Sequence, residues 1–201
     1  MSELSQLAEQ VVACTKCILS KSRTKAVPGE GPENAHMLFV GEGPGFHEDK
    51  QGRPFVGAAG QFLEELLAGI GMKRDEVFIA NVVKCRPPGN RDPMPEEIEA
   101  CRAYLDRQIE LINPRVVVTL GRYSMARWFP NAKISAIHGQ PRKIDGRLIV
   151  PMFHPAAALH QPSLRKDVEA DFCKLPEILA EFEQLENNEP PPPEAEQLSL
   201  F

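Results

Sequence analysis

The sequence predicts an α/β fold, a three-layer α/β/α sandwich around a mainly parallel, four-stranded sheet. Short apolar segments recur along the chain, and segments with helical periodicity separate them. Strands that alternate with helices favour parallel pairing, because the helix supplies the long crossover that parallel strands require. The chain has 201 residues, 42% of them hydrophobic, which is enough for one substantial core, so a single domain is expected.

Each predicted element follows from its local pattern. The strands are the apolar runs MLFV (37–40), VFIANVV (77–83), RVVVTLG (115–121) and RLIVPMF (147–153). One helix is predicted at AGQFLEELLAGIG (59–71), where apolar residues recur at the spacing of one helix face. A second is predicted at PEEIEACRAYLDRQIELI (95–112), because proline suits the first turn and acids suit the N-terminal end of the helix dipole. Asp145-Gly146 predicts a hairpin turn before the last strand.

The negative charge of the chain lies in its C-terminal tail. The formal net charge is −5, and the segment from Glu183 onward holds five glutamates and no Lys or Arg, so the rest of the chain is neutral and its bulk charge indicates no partner. NNEPPPPEAE (187–196) is typical of an extended linker, since prolines and acids cannot form a core. We therefore expect one domain over 1–185 and a linker with a terminal peptide over 186–201.

The sequence carries no sign of a membrane or secretory protein. No apolar run approaches the roughly 20 residues of a membrane span, and no N-terminal apolar h-region is present. We expect a cytoplasmic protein with no membrane partner.

Glycines and polar residues cluster where the predicted strands end. GEGPG (41–45) follows the first strand, Asn81 lies late in the second, and HPAAAL (154–159) follows the fourth. Ligands of open parallel sheets bind beyond the carboxyl ends of the strands, so these segments together predict one binding site. Each segment alone is ordinarily a turn, a strand-end cap or a hydrogen-bonded histidine. A phosphate is disfavoured as the ligand, because Glu42 inside the turn would repel it.

The five cysteines indicate a possible metal site. Cys14 and Cys17 form CTKC, while Cys85 ends a strand and Cys101 lies inside a helix. A disulfide framework is disfavoured in a chain without a secretory signal. Four thiolates gathered by the fold suit zinc or an iron–sulfur cluster, and the spacing does not separate the two; unconnected core cysteines are the alternative. Cys173, in a helical segment, is expected to be a buried small hydrophobe.

Several motifs occur together in the order typical of one family. They are the CxxC at 14–17, GEGPG with EDKQGRPFVGAAG (48–60), NVVKCRPPGNRDP (81–93) and FHPAAAL (153–159). Together they resemble the family 4 uracil-DNA glycosylases, the iron–sulfur members of the uracil-DNA glycosylase superfamily, from about residue 10 to residue 180. The resemblance implies a base-excision-repair enzyme that hydrolyses the N-glycosidic bond of uracil in single- or double-stranded DNA and leaves an abasic site. It also implies a structural 4Fe-4S cluster held by Cys14, Cys17, Cys85 and Cys101.

The resemblance further implies a pocket for a nucleotide flipped out of the DNA stack. Gly41, Gly43 and Gly45 would border it. Phe55 would stack on the uracil, and Asn81 would read its edge. An amide can donate to uracil O4 and accept from N3–H, whereas cytosine presents an amino group and a bare N3. Each mispaired buried polar group costs roughly 1–3 kcal/mol, so one asparagine can separate the two bases.

Cleavage of the bond leaves an oxocarbenium-like sugar and a uracil anion. The resemblance implies that His154 donates a hydrogen bond to uracil O2 as negative charge develops. Glu42 and Asn90 would position the attacking water, and the Glu42 carboxylate would favour the cationic sugar. The best-known glycosylases of the superfamily have an aspartate where this chain has Gly43. The role expected for Glu42 is therefore to position the water and stabilise charge rather than to act as a strict general base.

Further residues are expected to contact DNA. The loop PAAALHQPSL (155–164) would enter the minor groove, where Leu159 or His160 would fill the gap left by the flipped base. The expected phosphate contacts are Lys84, Arg86, Arg91, Arg165 and Lys166, with solvated surface charge as the alternative for each. Glu48 is expected to close the pocket against a C5 methyl group.

Two other functions stay open. One is a module that a metal site stabilises and that binds nucleic acid or uracil-containing DNA without turnover. CRPPGNRDPMPEE (85–97) lacks the basic, histidine-bearing insertion of a covalently trapping relative, which argues against trapping. The other is a glycosylase for a different lesion, such as mismatched thymine or hypoxanthine, although Asn81 favours uracil.

The last five residues, QLSLF (197–201), place large apolar side chains in a segment that cannot otherwise bury them. Gln197, Leu198, Leu200 and Phe201 resemble the bacterial sliding-clamp-binding motif, in which leucine and phenylalanine fill an apolar pocket and glutamine hydrogen-bonds beside it. An incidental tail that packs back on the domain is the alternative. We expect a sliding clamp as partner and a chain that is otherwise monomeric.

Overall fold

A five-stranded sheet organises the chain in the computed structural model, which describes residues 2–188. Strands β1 to β5 span Met37–Gly41, Phe78–Asn81, Val116–Leu120, Arg142–Ile144 and Arg147–Met152, and they lie in the order β2-β1-β3-β5-β4. All neighbouring pairs are parallel except β4 and β5, which pair antiparallel at one edge. The predicted fold class is confirmed, but the sheet has one strand more than predicted.

The additional strand belongs to a hairpin whose turn the sequence did predict. Asp145 and Gly146 have left-handed φ values of 49° and 77°, as a tight β4–β5 turn requires. Two of the three residues of β4, Arg142 and Lys143, are exposed, so this edge strand has no apolar run to reveal it. The second strand is shorter than predicted. It was expected over 77–83, but β2 ends at Asn81.

Nine helices surround the sheet within residues 2–188. Helices α1 to α9 span Glu3–Ala13, Phe46–Gln51, Ala58–Gly69, Pro95–Ile112, Arg122–Ala126, Ile134–Ile137, Pro155–His160, Arg165–Cys173 and Leu175–Asn188. The two predicted helices are confirmed as α3 and α4. Helix α4 has the predicted bounds, with Pro95 in the first turn and a left-handed Asn113 (φ 46°) as its C-cap.

The sheet is buried on both faces, which gives the three layers. Leu38 and Val40 of β1 pack in one core cluster with residues of α1 and α4. Met37 and Phe39 point the other way and pack with residues of α3 and α8. Because the helices cover both faces, only the edges and ends of the sheet are left for a ligand.

The terminal peptide predicted at 197–201 and most of the predicted linker lie outside the described residues. Within the described part of the chain, no helix combines the length and apolar character needed to cross a membrane.

Candidate active site

A cavity of about 540 Å³ opens at the carboxyl ends of β1, β2 and β5. The predicted site residues in its wall are Glu42, Gly43, Gly45, Phe55, Asn81, Asn90 and His154. The loops after three parallel strands therefore meet at one place, where the topology predicts a ligand site.

Two glycines at the end of β1, Gly41 and Gly43, let neighbouring side chains approach the main chain closely. A Cβ atom on Gly41 would lie 2.5 Å from Oδ1 of Asn81 and 2.7 Å from the ring of Phe55. A Cβ atom on Gly43 would lie 2.7 Å from Cγ2 of Val83. Real Cβ atoms do not tolerate such distances. The glycines thus let the amide of Asn81 and the ring of Phe55 converge at the end of β1.

Phe55 is held in a left-handed backbone conformation, with a φ of 50°. This conformation is rare for a bulky residue and requires support from its surroundings. Arg74 supplies it, because its guanidinium donates to the carbonyl of Phe55 (2.9 Å) and to that of Pro54. Gly60 leaves room for the same carbonyl. The Phe55 ring is thereby stacked on the ring of His154, with ring centroids 5.5 Å apart and planes inclined by 24°.

Glu48 connects the turn after β1 to the loop before α3 through hydrogen bonds. Its Oε1 accepts from the amides of Val56 and Gly57, at 2.8 Å each, and its Oε2 accepts from the amide of Gly45 at 3.1 Å. The carboxylate also faces the cavity. Its role against a C5 methyl group stays a prediction.

Asn81, the last residue of β2, lines the cavity and carries an unpaired acceptor. The residue is only 2% exposed, and its Oδ1 has no hydrogen-bond partner within the described chain. An unpaired buried acceptor costs about 1–3 kcal/mol unless a ligand supplies the donor. The site is therefore built for a ligand with an N–H or O–H at this position.

His154 caps the N-terminus of α7 and presents a neutral imidazole. Its Nδ1 accepts from the amide of Ala156 at 3.1 Å, so in the neutral ring the proton is on Nε2. Burial lowers the pKa of His154 to about 4, and the nearby carboxylate of Glu48 opposes this only in part. At neutral pH the ring is thus an uncharged donor.

Glu42 and Asn90 form another part of the wall. Burial raises the pKa of Glu42, the carboxylate of Asp92 raises it further, and Arg122 opposes both. Asn90 has a left-handed φ of 55°, and its Oδ1 accepts from Nε of Arg86 at 2.7 Å. This bond leaves the amide N–H groups of Asn90 as donors beside a carboxylate acceptor, a suitable pair for holding a water molecule.

The four cysteines predicted as ligands lie together on the other side of β2. Cys85 and Cys101 are buried in the core cluster of α1 and α4, and Cys14 and Cys17 pack against it. Burial raises the pKa of Cys85, as do Cys14 and Cys17, while Arg23 donates to its Sγ at 3.0 Å and lowers it. Within residues 2–188, no group of three or more Cys, His, Asp or Glu side chains is placed so that it could hold a metal ion.

Comparisons with known proteins identify the family. The family model described as the uracil DNA glycosylase superfamily matches residues 28–178. The chain belongs to this superfamily. A type-4 uracil-DNA glycosylase of Sulfurisphaera tokodaii is 49% identical over 190 residues, which cover 89% of this chain and 86% of the relative. The type-4 enzyme of Archaeoglobus fulgidus is 46% identical over 188 residues, which cover 89% of this chain and 94% of that relative. The type-4 enzyme of Thermotoga maritima is 47% identical over 173 residues, which cover 84% of this chain and 90% of that relative.

The family predicted from the motifs is confirmed as the type-4 uracil-DNA glycosylases.

Two smaller predictions are wrong. Lys84, expected to contact phosphate, is 1% exposed; its Nζ donates to the carbonyl of Asn81 (2.8 Å) and to Oε1 of Gln108 (2.6 Å), and burial lowers its pKa to about 7. Cys173, expected to be buried, is exposed on α8.

The other residues expected to contact DNA lie at the surface, and their role stays a prediction. Leu159 is 43% exposed, and His160 lines the cavity. Arg91 is held by the buried carboxylate of Glu97. Arg165 pairs with Glu169 and Glu65, and Lys166 is exposed.

Phe46 is a rim residue that the sequence did not single out. It is 45% exposed beside the cavity, with Nζ of Lys50 at 4.4 Å and Cζ of Arg86 at 5.2 Å from its ring centroid. An exposed aromatic ring with two cations suits a nucleobase and its phosphates. The available signal was a bulky aromatic residue directly after a glycine-rich turn.

We predict that His154 destabilises the protein as the pH falls from 7 to 5. Its pKa is about 4 in the folded chain against an ordinary value of 6.5. Between these values the unfolded chain binds a proton that the folded chain does not, so stability rises with pH. At pH 5 the effect amounts to about 2 kcal/mol.

Urea unfolding at both pH values, of the wild type and of His154→Gln, measures this effect. The wild type should lose about 2 kcal/mol more than the variant does. Equal losses would contradict an imidazole that stays neutral in the folded chain.

Proposed function

We propose that the chain excises uracil from DNA, flipping the nucleotide into the cavity and hydrolysing its N-glycosidic bond to release free uracil and leave an abasic site. The observation that carries the proposal is the unpaired amide oxygen of Asn81 in a cavity that also holds the neutral ring of His154. The relatives named above are uracil-DNA glycosylases of similar length, which supports the same activity here.

Uracil suits the groups that the cavity offers. Its N3–H is the donor that Oδ1 of Asn81 lacks, and its O4 accepts from the amide N–H of the same side chain. The ring of Phe55 offers an aromatic face for stacking. Cytosine has a bare N3 and an amino group at C4, so it would leave both ends of the Asn81 amide mispaired, at roughly 1–3 kcal/mol each.

The charges that develop during cleavage also find partners. Nε2–H of His154 would donate to uracil O2, where negative charge accumulates as the bond breaks. The Glu42 carboxylate and the Asn90 amide would hold the attacking water, and the carboxylate would stabilise the cationic sugar. Gly43 contributes no side chain, which leaves Glu42 as the carboxylate of this turn.

The rim would bind the flanking DNA. Phe46 would stack on a neighbouring base while Lys50 and Arg86 reach its phosphates. Leu159 or His160, at the end of α7, would fill the gap that the flipped base leaves. Arg165 and Lys166 would contact the backbone further away.

Turnover on oligonucleotides tests the proposed activity. Single- and double-stranded oligonucleotides carrying one uracil, cytosine, thymine or hypoxanthine would be incubated with the purified chain, and the free base quantified. We expect release of uracil alone. Asn81→Ala should slow that release by about 10²–10³-fold, as loss of one transition-state partner does.

Either rival function gives a different result in the same experiment. Binding of uracil-containing DNA without release of the base would indicate a binding module. Release of thymine or hypoxanthine ahead of uracil would indicate a glycosylase for another lesion.

We further propose that Cys14, Cys17, Cys85 and Cys101 hold a structural 4Fe-4S cluster. A cluster of this kind takes four cysteine thiolates, and here four cysteines that form no disulfide share one core region. The cluster would join the segment after α1, the loop after β2 and helix α4. The guanidinium of Arg23, which donates to Cys85, suits a sulfur that carries negative charge.

Iron content and colour test the cluster. The aerobically purified chain should be yellow-brown with broad visible absorption, because thiolate-bound iron absorbs and zinc does not. Cys85→Ser and Cys101→Ser should lose iron and absorbance. Cys173→Ser is the matched control, since Cys173 is exposed on α8, and it should keep both. A colourless, fully active protein with stoichiometric zinc would contradict the cluster.

A sliding clamp is the proposed protein partner, through Gln197, Leu198, Leu200 and Phe201. These residues lie outside the described chain, so the sequence motif alone supports the proposal. A tether to a clamp on DNA would raise the local concentration of uracil sites. The cytoplasmic location and the monomeric state stay predictions from the sequence.

Deletion of residues 197–201 should abolish binding to the bacterial clamp and leave turnover on short oligonucleotides unchanged. Leu200→Ala should have the same effect, and Ser199→Ala serves as the control within the motif. Equal clamp binding by the full-length and truncated chains would refute the proposed partner.

A further inference from the structure

A buried ammonium group lies directly behind the cavity. Lys84 is among the largest side chains that are fully buried, at 1% exposure. Its Nζ donates to the main-chain carbonyl of Asn81 at 2.8 Å and to Oε1 of Gln108 at 2.6 Å. Burying an ammonium group costs several kcal/mol of solvation free energy, so these bonds must compensate for a substantial loss.

The bond to Asn81 completes the open edge of β2. On that edge the amide and carbonyl of Ile79 pair with Glu30, at 2.8 and 2.9 Å. The next carbonyl that faces the same way belongs to Asn81, because backbone groups alternate along a strand. Nζ of Lys84 donates to this carbonyl the hydrogen bond that a neighbouring strand would otherwise supply.

The network anchors the ammonium to two other segments. Nε2 of Gln108, on α4, donates to the carbonyl of Pro28 at 2.7 Å. The carbonyl of Lys84 accepts from the amide of Val27 at 2.7 Å. The ammonium therefore fixes the end of β2 relative to α4 and to the segment that covers the sheet edge.

We propose that Lys84 is a positioning residue for uracil recognition, which holds the main chain of Asn81 so that its amide faces the base. The inference rests on the proposed uracil excision. The Oδ1 atom of Asn81 has no partner within residues 2–188, so the placement of its backbone must orient this end of the amide. A misplacement of about 1 Å at a reacting site costs up to roughly 10²-fold in rate.

A double-mutant cycle tests this role. Lys84→Met keeps an unbranched side chain and removes the ammonium. We expect it to lower kcat/KM for uracil release by about 10–10²-fold. In an Asn81→Ala background it should have almost no further effect, because the group that it positions is absent. Lys73→Met, at an exposed lysine, is the matched control.

Two further measurements separate positioning from general damage. Lys84→Met should bind abasic-site DNA as the wild type does, because that DNA has no base for Asn81 to read, and its iron content should match the wild type. If Lys84→Met does not fold, the double variant Lys84→Met/Gln108→Leu replaces both buried partners with apolar groups, which is better tolerated.

The outcomes distinguish this inference from the proposed function. Equal losses from Lys84→Met in both backgrounds, or equally weakened binding of abasic-site DNA, would overturn the positioning role alone. A wild-type chain that releases no uracil would overturn the proposed function and this inference with it.

Discussion

The close approach of Asn81 and Phe55 at Gly41 is the constraint on which the cavity depends. Neither group could occupy its place if β1 ended in a residue with a side chain, since a Cβ atom would lie within 2.7 Å of both. Each partner is then fixed from outside the cavity. Arg74 holds the left-handed backbone of Phe55, and Lys84 holds the carbonyl of Asn81. The specificity proposed for the site thus depends on buried contacts behind the residues that touch the base.

The proposed reaction needs a neutral His154 and an ionised Glu42. Burial lowers the pKa of His154, which keeps the imidazole neutral, whereas burial raises the pKa of Glu42 and Arg122 opposes that rise. A neutral donor near the base and a carboxylate near the sugar match a reaction that separates a uracil anion from a cationic sugar. Because the environment is partly dry, fixed dipoles act on these charges more strongly than water would.

The sequence predicted those parts of the fold that depend on local pattern. The apolar strands and helix α4 follow from periodicity and capping. The loops after β1, β2 and β5 meet at the carboxyl ends of these strands, as the topology requires. Strand β4 was not predicted because two of its three residues are charged and exposed. Lys84 was misassigned because a lysine two residues before Arg86 shows no sign of burial in the sequence. Its contact with Gln108, which is distant in sequence, comes only from the tertiary structure. Phe46 was missed although it directly follows the glycine-rich turn, because the two cations beside its ring become visible only in the tertiary structure.

The central claim is that the amide of Asn81 determines which base is released. The most direct measurement is the release of uracil and cytosine from matched oligonucleotides by the wild type and by Asn81→Asp. A carboxylate cannot donate to uracil O4 but can accept from the amino group of cytosine. We predict that the wild type releases uracil alone, and that Asn81→Asp loses uracil activity and shifts the ratio of the two rates toward cytosine. An unchanged ratio in Asn81→Asp would contradict the account.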